Sequence, residues 1–127
     1  STVGGTDRNE LLHSALAAGK DSAAKAKGAV AVGNGYEVVS DEETKTIKGA
    51  TALGVSSVAL GTESNAKTDY SIAIGNETVA GSEVGTGEQK VINKNAIAIG
   101  NGAQALGENS NAFGYQADAA SFKMQQQ

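Results

Sequence analysis

Residues with side chains suited to catalysis are few and scattered in this chain of 127 residues. His13 is the only histidine and cysteine is absent, so a zinc cluster or a histidine-dependent triad lacks its usual donors. The acidic run Asp41-Glu42-Glu43 lacks the alternating oxygen ligands and the glycine of a calcium loop. The glycines form no phosphate loop between a strand and a helix. We therefore predict no catalytic residue, no cofactor and no metal site, and expect that the chain is not an enzyme.

The strongest regularity is an alanine at every seventh residue, a short period typical of solenoids. Around it the chain repeats a small residue, a variable residue, Ala, an aliphatic residue and Gly, as in Ser57-Val58-Ala59-Leu60-Gly61. Glycines this frequent would cost about 1 kcal/mol each inside a helix, and seven residues suit one short strand and a turn. The sequence therefore predicts an all-β solenoid. The repeated alanines are Ala17, Ala24, Ala31, Ala52, Ala59, Ala66, Ala73, Ala80, Ala98, Ala105, Ala112 and Ala119.

The predicted strands are of two alternating kinds, so two strands make one coil of about 14 residues. In one kind large aliphatic residues flank the alanine, as Ile72 and Ile74 flank Ala73. In the other kind the flanking residues are mostly polar or small, as in Asn65 and Lys67. Because strand residues alternate faces, each alanine points to one side and its neighbours to the other.

Placing the alanines inside a flattened coil gives a thin core and leaves the large aliphatic side chains outside. Such a ladder exceeds the apolar patch that monomers usually expose, and cyclic self-association would bury it. The alternative is a wider monomeric solenoid with Val and Ile inside and Ala facing solvent. We predict the first arrangement, with an interface between identical chains formed by Val30, Val32, Leu53, Val58, Leu60, Ile72, Ile74, Ile97, Ile99 and Phe113.

Several copies of the repeat resemble a known family. Ser57-Val58-Ala59-Leu60-Gly61, Ser71-Ile72-Ala73-Ile74-Gly75 and Asn95-Ala96-Ile97-Ala98-Ile99-Gly100 are similar to the Asn-Ser-Val-Ala-Ile-Gly repeat of YadA-like heads in trimeric autotransporter adhesins. The resemblance runs from about Ala15 to Lys123. It implies a left-handed parallel β-roll, three chains around one axis, and display on the outer membrane of a Gram-negative bacterium. The implied partner is a host matrix protein (collagen, fibronectin or laminin) or a host cell-surface receptor.

A rigid roll present in three copies would bind an extended or multivalent host ligand through avidity. The candidate contact residues are polar side chains of the second kind of strand and residues of two stretches that depart from the repeat. They are Glu63, Asn65, Lys67, Asp69, Tyr36, Asp41, Glu42, Glu43, Glu88 and Lys90.

The two departures lie near 36–48 and 83–94, and departures in a solenoid usually map to loops. In the first, Val38 and Lys45 occupy sevenfold positions and the length still fits three sevens, so a degraded coil and a loop are both open. In the second, eighteen residues separate Ala80 from Ala98, four more than two sevens, which indicates an insertion that turns at 85–88. We expect an N-terminal cap or irregular start at 1–14, the roll at 15–123, and the start of a neck or a tail at 124–127.

Composition excludes some functions. A net charge of −4 argues against a nucleic-acid partner, whose binding site would be basic. No apolar run approaches the roughly 20 residues that span a membrane, and no signal peptide is visible. We therefore expect membrane attachment only through an anchor domain outside this chain.

Three other classes of protein share features with this pattern. Hexapeptide-repeat acyltransferases repeat every six residues and normally supply a catalytic histidine, in contrast to the period of seven found here. Ice-binding solenoids need regular ranks of threonine, whereas Thr51, Thr62, Thr68 and Thr78 occupy different repeat positions. A purely structural trimeric fibre segment of a phage or appendage fits the pattern and stays the alternative function.

Overall fold

The computed structural model of the protein describes residues 2–3 and 14–120. Within these residues the structure is all-β with short 3₁₀ turns, among them Gly87–Gln89, and it contains no α-helix. His13, most of the expected cap at 1–14 and the tail at 124–127 lie outside the described residues. The strands are β1 Thr2–Val3, β2 Leu16–Ala18, β3 Ala23–Ala24, β4 Val30–Val32, β5 Tyr36–Val39, β6 Thr44–Ile47, β7 Thr51–Ala52, β8 Val58–Leu60, β9 Asn65–Ala66, β10 Ile72–Ile74, β11 Val79–Ala80, β12 Ser82–Val84, β13 Val91–Asn93, β14 Ile97–Ile99, β15 Gln104–Ala105, β16 Asn111–Phe113 and β17 Asp118–Ala119.

Two parallel sheets build a roll. The first sheet has the order β16-β14-β10-β8-β4-β2, and the second sheet has the order β1-β3-β7-β9-β11-β15-β17. The chain alternates between them, so one strand from each sheet makes a coil. Ala59 pairs in register with Ala73, and Ala66 with Ala80, each fourteen residues later. This register confirms the predicted parallel β-roll with 14 residues per coil.

The core between the sheets consists of alanines and small hydroxyl residues. From Ala24 to Ala119 the repeated alanines are at most 5% exposed. The buried residues two places before them include Ser57 and Thr78, whose hydroxyls donate to carbonyl oxygens three residues earlier, at 2.8 and 3.0 Å. Only such small side chains fill a core this thin at native packing density. The arrangement with alanines inside is therefore confirmed, and the alternative with Val and Ile inside is wrong.

The corners of the roll depend on backbone with positive φ. The connection from a first-sheet strand to a second-sheet strand is called here the exit corner, and the return connection the entry corner. In both kinds of corner, the residue three positions before the next core alanine has a positive φ, in the left-handed region. This conformation is uncommon for residues other than glycine. At exit corners the coils also stack closely: a Cβ at Gly100, with φ +127°, would lie 2.6 Å from the carbonyl oxygen of Gly114. Among the described residues, the non-glycine residues in the left-handed conformation are Asp21, Ser56, Glu63, Tyr70, Glu77, Asn95, Asn109 and Gln116.

The first departure from the repeat is an antiparallel β-hairpin, called hairpin 1, formed by β5 and β6. It replaces the exit corner between β4 and β7, where twenty-one residues rather than seven separate Ala31 from Ala52. Fourteen residues are thus added, the length of a whole coil. The interpretation of this stretch as a degraded coil is wrong. Val38 pairs with Lys45 across the hairpin, and β5 and β6 belong to neither sheet of the roll.

The second departure is also an antiparallel β-hairpin, called hairpin 2, formed by β12 and β13. It replaces the entry corner between β11 and β14, and residues 85–88 lie in its connection with the 3₁₀ turn. Because β11 and β14 are consecutive strands of different sheets, an uninterrupted roll would place their core alanines seven residues apart. Ala98 instead follows Ala80 by eighteen residues. The insertion therefore adds eleven residues, and the interpretation as four extra residues is wrong.

Candidate functional site

The outer face of the first sheet carries two aligned columns of aliphatic side chains. In the column before the alanines, Val58 pairs in register with Val30 and Ile72, and Ile72 with Ile97. The column after the alanines is Val32, Leu60, Ile74, Ile99 and Phe113. The strand alternation that buries the alanines turns these side chains outward. Ile99 is 37% exposed and Phe113, in the last described first-sheet strand, is 61% exposed.

Two residues change the membership of this face. Leu53 directly follows β7, a strand of the second sheet. The other nine residues predicted for the interface lie on the first sheet, so Leu53 is separated from them. Leu16 belongs to the face, because it pairs with Val30, and sequence reasoning missed it. The sevenfold alanine Ala17 beside it was the available signal. We call the corrected set the aliphatic face: Leu16, Val30, Val32, Val58, Leu60, Ile72, Ile74, Ile97, Ile99 and Phe113.

The second sheet presents a polar outer face with a shallow depression of about 270 Å³. Glu63 and Asn65 line it, together with Lys48 and Glu77. The Asn65 side-chain oxygen is buried without a hydrogen-bond partner among the described residues. Lys67 lies beyond β9 and lines a separate depression with Leu53 and Glu83. The polar ladder predicted on this sheet therefore divides between two neighbouring recesses.

Asp69 differs from the other three polar candidates. Its carboxylate accepts a hydrogen bond from the backbone N–H of Val55 at 2.8 Å. It also lies 3.8 Å from the Lys94 ammonium group. Both contacts are at the entry corner, so Asp69 joins successive coils there and is separated from the recesses that Glu63, Asn65 and Lys67 line.

Hairpin 1 carries four of the other candidates. Tyr36 lies at its base and is 52% exposed, opposite Ile47, which is buried. Asp41, Glu42 and Glu43 form the exposed tip, where the Ser40 N–H donates to the Glu43 carbonyl oxygen at 2.9 Å. The tip therefore concentrates three carboxylates at the far end of an exposed hairpin.

Hairpin 2 carries Glu88 and Lys90. Glu88 lies in the 3₁₀ turn, and the Lys90 ammonium group forms a surface ion pair with Glu83 at 3.1 Å. Three polar side chains hold the base of this hairpin against the roll. The Thr68 hydroxyl donates to the Asn93 carbonyl oxygen at 2.7 Å, and the Ser82 hydroxyl donates to the Leu106 carbonyl oxygen at 2.7 Å. The Asn93 amide donates to Ser82 Oγ at 2.9 Å, which joins the two anchors.

Residues 2–3 and 14–120 contain no group of three or more His, Cys, Asp or Glu side chains arranged to hold a metal ion. In the same part of the chain no helix is long and apolar enough to cross a membrane. The surface features of this part of the chain are an aliphatic sheet face, a polar sheet face and two projecting hairpins.

A comparison with protein families matches the YadA head domain repeat, in two copies, to residues 13–35, 52–78 and 92–117. These stretches cover more than half of the chain, and the segments between them contain hairpin 1 and most of hairpin 2. A search of curated proteins gave no significant match. The matched repeats are those whose alanines and aliphatic residues build the roll. The chain thus belongs to the YadA head repeat family, whose members form the heads of trimeric autotransporter adhesins.

Proposed function

We propose that this chain is the head of a cell-surface adhesin in which three copies pack their aliphatic faces around a common axis. The observation that carries the proposal is the aliphatic face itself. Its two columns run through the first sheet and are covered by no other element between residues 14 and 120. Burying a single Val, Leu or Ile side chain fully is worth about 1.5–3 kcal/mol. In a single chain these side chains are already partly buried, as Ile99 is 37% exposed, so only their exposed fraction counts. Ten such residues per chain then provide on the order of 5–15 kcal/mol, comparable with the roughly 4–15 kcal/mol that association costs.

Substitution of Ile99 by Asp tests this packing, with Leu53→Asp as the matched control. The two side chains are 37% and 42% exposed in a single chain, but Leu53 accompanies the second sheet. We expect light scattering to report three chains for the wild type and for Leu53→Asp, and a lower mass for Ile99→Asp. Equal masses for Ile99→Asp and the wild type would contradict the proposed interface, as would a monomeric wild type at every concentration.

We further propose that the head binds a host matrix protein, such as collagen, fibronectin or laminin, or a host cell-surface receptor. The family supports host binding in general. In the proposed trimer the second sheets face outward, and three copies of each recess multiply a weak contact through avidity. Glu63, Asn65 and Lys67 offer charge and amide groups on this face, and Glu88 and Lys90 extend the polar surface on hairpin 2. An anchor domain elsewhere in the protein would hold the head at the outer membrane.

Binding of the trimeric head to immobilised matrix proteins and to host cells tests the second proposal. The double variant Asn65→Ala and Lys67→Ala removes the amide and the cation from the two recesses without touching the alanine core. We expect weaker binding and an unchanged circular dichroism spectrum. Unchanged binding would move the ligand site to the hairpins. A folded trimer that binds none of these partners would favour the purely structural fibre segment.

A further inference from the structure

The acidic tip of hairpin 1 has no ionic partner among residues 14–120. Asp41, Glu42 and Glu43 are exposed, and none of them forms a salt bridge with another residue of 14–120. The apolar residues nearer the tip are also uncovered, since Val38 is 46% and Val39 is 73% exposed, whereas Ile47 at the base is buried. A two-stranded hairpin is at best marginally stable in water without a surface to pack on. The outer part of hairpin 1 thus combines carboxylates that pair with no residue of 14–120 with exposed apolar side chains.

Two lysines on the opposite edge of the roll also form no ion pair with another residue of 14–120. Lys25 and Lys27 lie at the entry corner that leads from β3 into β4, and both side chains are exposed. Neither forms a salt bridge within the described part of the chain. Hairpin 1 begins after the other end of the same strand, β4. One short strand therefore separates a basic edge from an acidic projection.

Cyclic symmetry brings these two edges together. In a ring of identical chains the contacts are heterologous, so one edge of each chain meets the opposite edge of the next. When the first sheets face the axis, the three β4 strands lie at one height and follow one another around it. The exit end of β4 in one chain then adjoins the entry end of β4 in the next. Hairpin 1 extends from the former, and Lys25 and Lys27 lie at the latter.

We propose that hairpin 1 clasps the neighbouring chain, with Asp41, Glu42 and Glu43 paired to Lys25 and Lys27 of the partner subunit. The proposal rests on the proposed trimer, of which it specifies a second contact outside the aliphatic face. The four-residue strands of the hairpin extend roughly 13 Å, long enough to cross the joint between two chains. In this arrangement the acidic tip joins subunits, which replaces the role of ligand contact that the sequence suggested for it.

Cross-linking tests the clasp directly, because the natural sequence contains no cysteine. Glu42→Cys and Lys27→Cys are combined in one chain and treated with a short bismaleimide, since paired Glu and Lys residues lie farther apart than a disulfide permits. We expect covalent dimers and trimers on a denaturing gel. The matched control combines Glu42→Cys with Lys67→Cys, an exposed position after the second-sheet strand β9, and should stay uncross-linked.

The outcomes separate the clasp from the trimer. Covalent oligomers from the first variant alone support the clasp. A light-scattering mass of three chains with no cross-link, or equal cross-linking in both variants, overturns the clasp and leaves the trimer intact. A monomeric mass for the wild type refutes the proposed trimer and the clasp together.

Charge reversal provides a second, independent measurement. Lys25→Glu with Lys27→Glu should raise the concentration at which the trimer dissociates by about two- to fivefold for each ion pair lost. Adding Glu42→Lys and Glu43→Lys to the same chain should restore the wild-type value, and 1 M salt should reduce the differences. If the two reversals each weaken the trimer but do not compensate one another, the residues are not paired and the clasp is refuted. In that case the acidic tip is available for a basic external ligand.

Discussion

Replacement of Thr68 by Val tests how strongly the polar anchor of hairpin 2 stabilises the head. Thr68 is 3% exposed, and its hydroxyl donates to the Asn93 carbonyl oxygen at 2.7 Å and bonds the Ser71 hydroxyl at 2.8 Å. Valine has nearly the same shape, so the change removes both hydrogen bonds while leaving the packing in place. Each buried polar group left without a partner costs about 1–3 kcal/mol. We therefore expect the free energy of unfolding to fall by about 2–4 kcal/mol.

Thr62→Val is the matched control, because Thr62 makes the same kind of bond at the surface. Its hydroxyl donates to the Asn34 carbonyl oxygen at 2.7 Å, in an exposed position where water can replace it. The expected loss is about 0.5–1 kcal/mol, the usual net contribution of such a bond. The two variants therefore differ mainly in burial.

Thermal unfolding followed by circular dichroism measures both variants at one protein concentration, because association makes the midpoint concentration-dependent. For a chain of this size 1 kcal/mol corresponds to roughly 4 °C. Thr68→Val should lower the midpoint by roughly 8–16 °C and Thr62→Val by roughly 2–4 °C. Amide exchange in Val91–Asn93 should also accelerate in Thr68→Val. Equal shifts in the two midpoints would refute the argument that burial determines the strength of this anchor.

Backbone conformation at the corners allows two further predictions, both checked by urea unfolding. Gly100→Ala should destabilise the head by about 2–4 kcal/mol, because the new Cβ meets the Gly114 carbonyl oxygen and φ is unfavourable for alanine. Gly87→Ala, where a Cβ meets nothing within 4 Å, should lose only about 1 kcal/mol, and equal losses would contradict the role of coil stacking. Glu77→Asn should stabilise the head by about 0.5 kcal/mol, because Asn tolerates the φ of 61° better, as at Asn95. Glu77→Gln has the same conformational preference as Glu and should give no gain; a similar gain would mean that charge, rather than φ, is responsible.

The regular part of the roll could be predicted from the sequence because every coil has the same strands and corners and contacts only its neighbouring coils. A core alanine contacts the alanines one coil away, so its position follows from the repeat alone, as the register of Ala59 with Ala73 confirms. The sheet to which Leu53 belongs was also available in principle. Ala52 precedes the second-sheet residue Ala66 by one coil, which assigns its neighbour Leu53 to the second sheet. The error arose from weighing residue type above register.

The nature of the first insertion was harder to predict, because its length hides it. Fourteen added residues preserve the sevenfold spacing, so the period alone cannot distinguish a hairpin from a coil. Residue type provided the remaining signal: a coil would have required Lys45 at a buried alanine position, and an unpaired buried charge is strongly unfavourable. The contacts of the hairpin tips could not be predicted in this way, because they depend on other chains or on ligands.

Deletion of residues 35–48 should leave the roll intact. The two ends of hairpin 1 together make the backbone hydrogen bonds of one exit corner. The Gly35 N–H donates to the Lys20 carbonyl oxygen at 2.7 Å, and the Lys48 carbonyl oxygen accepts from the Glu63 N–H at 3.0 Å. At an undisturbed corner one turn makes both kinds of bond, as where the Glu77 N–H donates to the Thr62 carbonyl oxygen at 3.0 Å.

The deletion joins Asn34 to Gly49 and restores seven residues between Ala31 and Ala52. Gly49 can then donate towards the preceding coil, and the Asn34 carbonyl oxygen can accept from the following coil. We expect a folded roll whose unfolding midpoint falls by at most roughly 8 °C, the loss that the two ion pairs of the clasp account for. The matched control deletes residues 36–48, which leaves one extra residue at the corner and should unfold at a lower temperature. If both deletion variants unfold at the same temperature, or if the first fails to fold, the prediction is wrong. The roll then needs hairpin 1 to form this corner.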